Sequence, residues 1–228
     1  SESAIGKDNL NLSRSLIAEN SPYYETGVKF SLDNGKKWVF NLLLLNGWQI
    51  IRETNGDKAL GTYVSFKPNK KLTINSCSFA GNEKADTAKQ YRIFHDLNFN
   101  WNPNDKINVV GAFDIGEEQK AKGDTSAGKW NLWHGASLQM KIAATKKIWF
   151  AMRVEEYWDK YGVIISKTTP NGFQTSGFSF NIDVKPYKNV LWRTEYRYLN
   201  SLDNIFLNEN NNPTHINQNM ITSLMISF

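Results

Sequence analysis

The 228-residue sequence has a single cysteine, Cys77, only six prolines, and no long hydrophobic run. A lone cysteine excludes an intramolecular disulfide, and without a CxxC or a Cys/His cluster there is no structural zinc site to expect. The best apolar run, Leu42 to Leu45, ends at Asn46 and Gly47, far short of the roughly 18 residues that a membrane helix needs. His95, His134 and His215 stand apart without HExxH spacing, and GxSxG, P-loop and GxGxxG patterns are all missing. The adjacent carboxylates Glu117-Glu118 and Glu155-Glu156 would point to opposite faces of a strand, so they make poor acid/base partners. These absences predict a protein that is not an enzyme, with no cofactor and no metal. The opening Ser1-Glu2-Ser3-Ala4-Ile5 has neither the basic region nor the apolar core of a secretory leader.

Aromatic residues, by contrast, are abundant at 13%, eight of them tryptophan, although the mean hydropathy is only −0.51. So many aromatics argue against disorder, and the low mean conceals one-by-one alternation. From Tyr91, the residues Tyr91, Ile93, Leu97, Phe99 and Trp101 fall on one face and Arg92, Asp96, Asn98 and Asn100 on the other, the period of a strand. Asn102-Pro103-Asn104-Asp105 then makes a turn, and Ile107, Val109, Phe113 and Ile115 resume the alternation. The same unit recurs, predicting eleven strands near 23–31, 37–49, 58–66, 71–80, 91–101, 106–116, 130–142, 147–157, 173–184, 189–199 and 216–228.

Strands of nine to thirteen residues exceed the usual globular length of about five to six and suit a tilted crossing of a bilayer. The links alternate strictly between tight turns and long polar loops, so all turns gather at one end of a meander and all loops at the other. Trp38, Trp48, Trp101, Trp130, Trp149, Trp158 and Trp192 fall near predicted strand ends, as in an interfacial aromatic girdle. The turns hold ten lysines against two aspartates, whereas the loops carry nearly equal numbers of both signs. The plain account of that asymmetry is solvated turns, and the functional one is contact with anionic lipid head groups. Lysines spread over five turns without a stacking platform predict no nucleic-acid partner.

Two stretches carry a family resemblance. The C-terminus alternates through Leu224-Met225-Ile226-Ser227-Phe228 and ends on an aromatic. The N-terminus reads Ser3-Ala4-Ile5-Gly6-Lys7-Asp8-Asn9, then Leu12-Ser13-Arg14-Ser15-Leu16, then Ala18-Glu19-Asn20-Ser21-Pro22-Tyr23-Tyr24-Glu25-Thr26-Gly27. This resembles the OmpL-like beta-barrel porin family of Gram-negative outer membranes. The resemblance implies an all-β transmembrane, antiparallel up-and-down β-barrel in the cell outer membrane, acting as a passive channel with no catalytic residues. With Phe228 at the periplasmic end, counting back through eleven strands puts residue 1 outside, whereas members of the family are expected to begin inside. Single-chain bacterial barrels have even strand numbers. The parity predicts either the C-terminal part of a larger barrel or a strand overlooked within 1–20.

If the apolar face meets lipid, the opposite face lines the lumen. Alternation assigns Arg92, Asp96, Lys106, Asp114, Lys141, Arg153, Glu155, Asp183, Arg193, Glu195 and Arg197 to that wall, together with Glu25, Lys29 and Lys185. These charges either pair across strands as structural filling or form a pore wall with a weak preference for anionic or polar solutes. In the second case, neutralising Arg193 and Arg197 together shifts ion selectivity. Residues 1–22 form a polar, plug-like segment on the extracellular side, with residues 23–228 as the barrel. The segment either lies along the surface or enters the mouth as a constriction, and Arg14 is its only arginine. The expected partners are outer-membrane lipids and small polar solutes, with a homo-oligomer or other outer-membrane proteins as further candidates. A structural or adaptor barrel of a larger transport or secretion complex, and a soluble β-barrel binding module, are the competing readings.

Overall fold

The computed structural model describes residues 2, 6–126 and 128–227, so the expectations attached to Phe228 and to Ser3-Ala4-Ile5 lie outside the described residues. After a 3-10 turn at Gly6–Asp8 and a short helix α1 (Leu16–Asn20), the chain is nearly all strand. The strands are β1 (Gly27–Asp33), β2 (Trp38–Leu45), β3 (Ala59–Asn69), β4 (Leu72–Asn82), β5 (Tyr91–Asn104), β6 (Ile107–Gln119), β7 (Trp130–Ala143), β8 (Ile148–Asp159), β9 (Phe173–Tyr187) and β10 (Val190–Ser201). A two-residue ladder, β11 (Phe206–Leu207) with β12 (Pro213–Thr214), sits in the last long loop before β13 (Ile216–Ile226), and a further 3-10 turn spans Asp86–Ala88. The long strands make one eleven-stranded sheet in the order β1-β2-β3-β4-β5-β6-β7-β8-β9-β10-β13, each antiparallel to the next. It is the predicted up-and-down meander, with all tight turns at one end. Among the described residues the sheet does not close, since β1 and β13 each have a neighbour on one side only.

Burial is inverted relative to a water-soluble sheet. Phe30, Leu42, Leu60, Ile93, Leu97, Leu138 and Val154 are exposed, while Arg153, Asn181, Asp183, Arg193 and Glu195 are among the most deeply buried side chains. Strict alternation produces both sets, because successive side chains leave a strand on opposite faces. The apolar outward band matches a hydrocarbon surround, and the inner face holds the polar groups. No helix among the described residues is long and apolar enough to cross a membrane.

Two aromatic placements differ from the girdle expected of the sequence. Trp38, Trp101 and Trp192 point outward at the turn end, and Trp130 and Trp158 lie on the outward face at the loop end, with His134 stacked on Trp158 at 5.5 Å. Trp48 is instead buried inside, because β2 stops at Leu45 and Gly47, at φ 140°, turns the chain inward. Its backbone N–H donates to the Glu83 carboxylate at 3.1 Å. Trp149 pairs with the inward Asp183 and faces the turn-end interior beside Leu10 and Lys141. The first strand also begins later than expected, at Gly27, because Tyr23 and Tyr24 are held by Gln49 in the following loop: Tyr23 N donates to Gln49 Oε1 at 2.9 Å and the Tyr24 hydroxyl to Gln49 O at 2.8 Å.

Candidate functional site

The inner face is not empty. Residues 6–21 run along it and touch strands from β6 to β10. Leu12 N donates to Asn181 Oδ1 on β9 at 3.1 Å, Ser13 N to Glu195 Oε2 on β10 at 2.6 Å, and Leu16 N to Glu155 Oε2 on β8 at 2.6 Å. Ser21 Oγ stands 2.7 Å from Asp114 Oδ2 on β6. Helix α1 is only five residues long, and its first turn is capped by Ser15, whose hydroxyl accepts from Ala18 N at 3.3 Å. A helix this short has little stability of its own. The carboxylate of Glu155 at its N-terminus and the packing of Ile17 hold it in place. Gly135 on β7 makes room for that contact, since a Cβ there would meet Ile17 Cγ2 at 2.5 Å.

The arginines assigned to the wall are the anchors of this segment. Arg193 donates through Nε to Asp183 Oδ1 at 2.7 Å, and through its other nitrogens to the carbonyls of Gly6, Asn9 and Leu10 at 2.6, 3.0 and 2.7 Å. Arg153 donates to Glu155 Oε1 at 3.1 Å, to Ser13 O at 2.7 Å, and to the Ser13 and Ser179 hydroxyls, both at 3.0 Å. Arg197 reaches Glu155 Oε1 at 2.8 Å, and Lys141 pairs with Asp183. Charge-assisted bonds of this kind are the stronger ones, and here they satisfy the guanidinium groups of Arg153 and Arg193 with no surface left exposed.

Of the other predicted positions, Glu25 borders the same cavity as Asp96 and Asp114, Lys29 and Lys185 are exposed, and the rest divide into three. Arg92 is buried in an ion pair with Glu118 at 2.6 Å, its guanidinium 5.3 Å from the Trp48 ring and 5.8 Å from the Trp133 ring. Lys106 lies in the exposed turn between β5 and β6 rather than on a strand, because Asn104 Oδ1 accepts its backbone N–H at 2.9 Å and closes the turn. Asp96 and Asp114 are directly opposed across β5 and β6 and border a cavity of about 440 Å³ between residues 14–22 and the inner face of β2 to β6. Arg14 borders the same cavity, donating to Ala18 O at 2.5 Å, 3.8 Å from the Glu19 carboxylate and 4.3 Å from the Tyr23 ring.

At the loop end, Asp159 closes β8 by accepting from Val163 N, Ile164 N and Ile165 N at 2.9, 2.7 and 2.7 Å, which turns three apolar residues back towards the core around Trp133 and Tyr157. Asn171 in that loop donates from its backbone and side chain to Asp203 in the next one, at 2.7 and 2.9 Å. The Asn171 side-chain bond first, and its backbone N–H second, hold the Asp203 carboxyl below the usual carboxylate range. Nothing in the sequence singles out Trp48, Phe79, Phe94 or Trp133 as a cluster. Their inward parity was readable only for residues inside strands.

The fold resembles that of the outer membrane channel DcaP of Acinetobacter baumannii, with a TM-score of 0.60 at 8% identity. The match covers 86% of this chain and 61% of that one, so the chain spans about three-fifths of the channel's length. A doubly substituted OccD1 (OprD) aligns with a TM-score of 0.47 and 10% identity, over 82% of this chain and 52% of that one. No curated protein matches the sequence. The family described as "Putative beta-barrel porin-2, OmpL-like" matches residues 1–228, the full length, and the chain therefore belongs to that outer-membrane porin family.

Proposed function

We propose that the protein is an outer-membrane channel through which small polar or ionic solutes diffuse passively, and that it is not an enzyme. The observation that carries this reading is the inversion of burial, with charged side chains inside and an apolar band outside. A soluble binding module would leave the opposite face wet. In this reading Arg92, Asp96, Lys141, Arg153, Glu155, Asp183, Arg193, Glu195 and Arg197 build the wall, and residues 6–22 narrow the lumen as a plug-like segment with Arg14 at the constriction. Asp114 belongs to the same wall, and Lys106 to its turn-end rim. The loops face outside and the turns the periplasm, as in other outer-membrane barrels. Lipids surround the apolar band, and the turn lysines meet anionic head groups. Further copies or other outer-membrane proteins are the protein neighbours, and nucleic acid is not a partner.

The purified full-length protein, reconstituted in planar bilayers, is expected to give discrete ohmic conductance steps. Folding is checked in parallel by faster gel migration of the unheated sample. A folded protein that stays silent over repeated insertions contradicts the proposal.

A further inference from the structure

The two halves of the lumen differ in what they leave available. Along β7 to β10 the arginines are consumed by carboxylates and by the carbonyls of residues 6–13. Along β2 to β6 the cavity of about 440 Å³ stays open, a volume within the usual range for small-molecule sites. Its wall joins two kinds of surface. Trp48 stands edge-to-face against Phe79 and Phe94, at 5.3 and 4.9 Å between ring centroids. The lining also carries the carboxylates of Asp96 and Asp114, with those of Glu2 and Glu25 at the segment side.

Asp114 is only 3% exposed, and while its Oδ2 meets Ser21, its Oδ1 is buried with no hydrogen-bond partner among the described residues. The Ser21 hydroxyl also stands 2.7 Å from Ile17 O, so its one proton is divided between two acceptors. Asp96 is held in place by a relay across three strands: the Tyr63 hydroxyl donates to Asn75 Oδ1 at 3.0 Å, Asn75 Nδ2 to Asn98 Oδ1 at 2.8 Å, and Asn98 Nδ2 to Asp96. Arg14 is the one cation on the lining among the described residues, and it is already engaged by Ala18, Glu19 and Tyr23. Two opposed carboxylates with a buried oxygen that no donor reaches are costly as a double anion, and a bound cation relieves that cost as a shared proton does. The aromatic rings supply apolar contact for the rest of such a ligand, the Trp48 ring already having the Arg92 guanidinium over it.

Building on the channel reading, we infer that this cavity binds small organic cations, amines protonated or quaternary at nitrogen and carrying an apolar group, and that it sets the selectivity of the channel in place of the arginine ladder. The apolar group lies against Trp48, Phe79 and Phe94, and the cationic nitrogen faces Asp96 and Asp114. The turn-end lysines do not cancel this preference. Lys70, Lys71 and Lys106 are exposed around a wider space of about 600 Å³, where water and salt screen them.

The test uses single channels of the full-length protein in a KCl gradient, with benzyltrimethylammonium as the probe cation and benzenesulfonate as an anion of similar size. The wild-type reversal potential is expected to report preference for K⁺, and the probe cation but not the anion is expected to reduce the current. The double variant Asp96→Asn with Asp114→Asn should lower the K⁺/Cl⁻ permeability ratio and weaken block, each by about threefold or more, the effect of one charge acting across roughly 7 Å of water. Arg14→Gln leaves the carboxylates in place and should strengthen both. A conducting channel that prefers Cl⁻, or block unaltered by either variant, overturns the inference. A folded protein that never conducts overturns the channel reading and the inference with it.

Discussion

Arg197 on β10 bonds to Glu155 on β8 over the top of β9, with its Nη2 at 2.8 Å and its Nε at 3.1 Å from the same carboxylate oxygen. The intervening residue is Gly177, paired with Glu155 on one side and Leu199 on the other. One level nearer the turn end, Arg153 on β8 approaches Glu195 on β10 at 3.4 Å, over Ser179. The two contacts run in opposite senses, so the ladder alternates in sign along the strands as well as across them. Such crossed pairing removes the like-charge repulsion that two adjacent guanidinium groups would otherwise bring.

Gly177 is therefore a clearance position. A Cβ there would lie 2.5 Å from Leu199 Cδ2 and 3.0 Å from Glu155 Cγ, too close for either to stay put. Gly177→Val is expected to push Glu155 away from both Arg197 and Leu16 N and to cost about 1–3 kcal/mol, the range for overpacking a filled interior. The midpoint of urea unfolding, followed by the gel shift between folded and unfolded forms, measures it. An unchanged midpoint would show that the crossing has slack.

The loop-end clamp between Asp203 and Asn171 gives a pH dependence whose sign follows from its chemistry. The folded carboxyl titrates below its unfolded value because Asn171 donates to the ionised form. Its contribution is thus complete above the unfolded carboxylate range and is lost as pH falls through the depressed folded value. Amide protection in the loops 160–172 and 202–215, taken as the exchange rate relative to the intrinsic rate at the same pH, should be high at pH 6 and fall in acid, and Asp203→Asn should show the lower protection at both. Protection in the variant that still depended on pH in this way would assign the effect to another group.

Strand number, order and facing could be read from the sequence because period-two alternation depends only on neighbours within a strand. Alternation sets Arg193, Glu195 and Arg197 on one face of their strand, and on that face Arg193 and Glu195 are fully buried and Arg197 nearly so. Trp48 and Trp149 were misread because a ring at a strand end looks the same in sequence whether it turns to lipid or to the lumen. Gly47 and the Glu83 carboxylate decide the matter for Trp48, and Glu83 is 35 residues away. The engagement of Arg193 by Gly6, Asn9 and Leu10 spans more than 180 residues. It leaves no local pattern, since backbone carbonyls carry no residue identity.

The outward face makes a separate prediction. Val154 lies midway along β8, 53% exposed, between the buried Arg153 and Glu155. Val154→Arg puts a charge into hydrocarbon and should cost about 2–4 kcal/mol in refolding into lipid vesicles, as for lipid-facing cations near the bilayer midplane. The same exchange at Tyr187, exposed at the turn end of β9, should cost about 1 kcal/mol or less, because interfacial positions tolerate charge. Equal costs at the two sites would contradict the membrane-spanning placement of β8.

Residues 6–21 are held by many bonds of which Ser13 supplies a removable part. Its hydroxyl lies 2.7 Å from Glu195 Oε1 and 3.0 Å from Arg153 Nη2, while its backbone N–H and carbonyl bind the same two side chains. Ser13→Ala takes away the hydroxyl and leaves the backbone bonds, so the segment should loosen without the sheet unfolding. Hydrogen bonds to charged groups are worth roughly 1.5–3 kcal/mol, and every 1.4 kcal/mol is about tenfold in the population of the released state. Arg14 supplies a reporter, because trypsin cuts after arginine and reaches this bond only when the segment leaves the wall. Cleavage at Arg14 is expected to be about tenfold or more faster in Ser13→Ala than in the wild type, with the strands still resistant, and the mean single-channel current should rise with it. Faster cleavage without a rise in current would mean that the segment lines the lumen without narrowing the path of the ions.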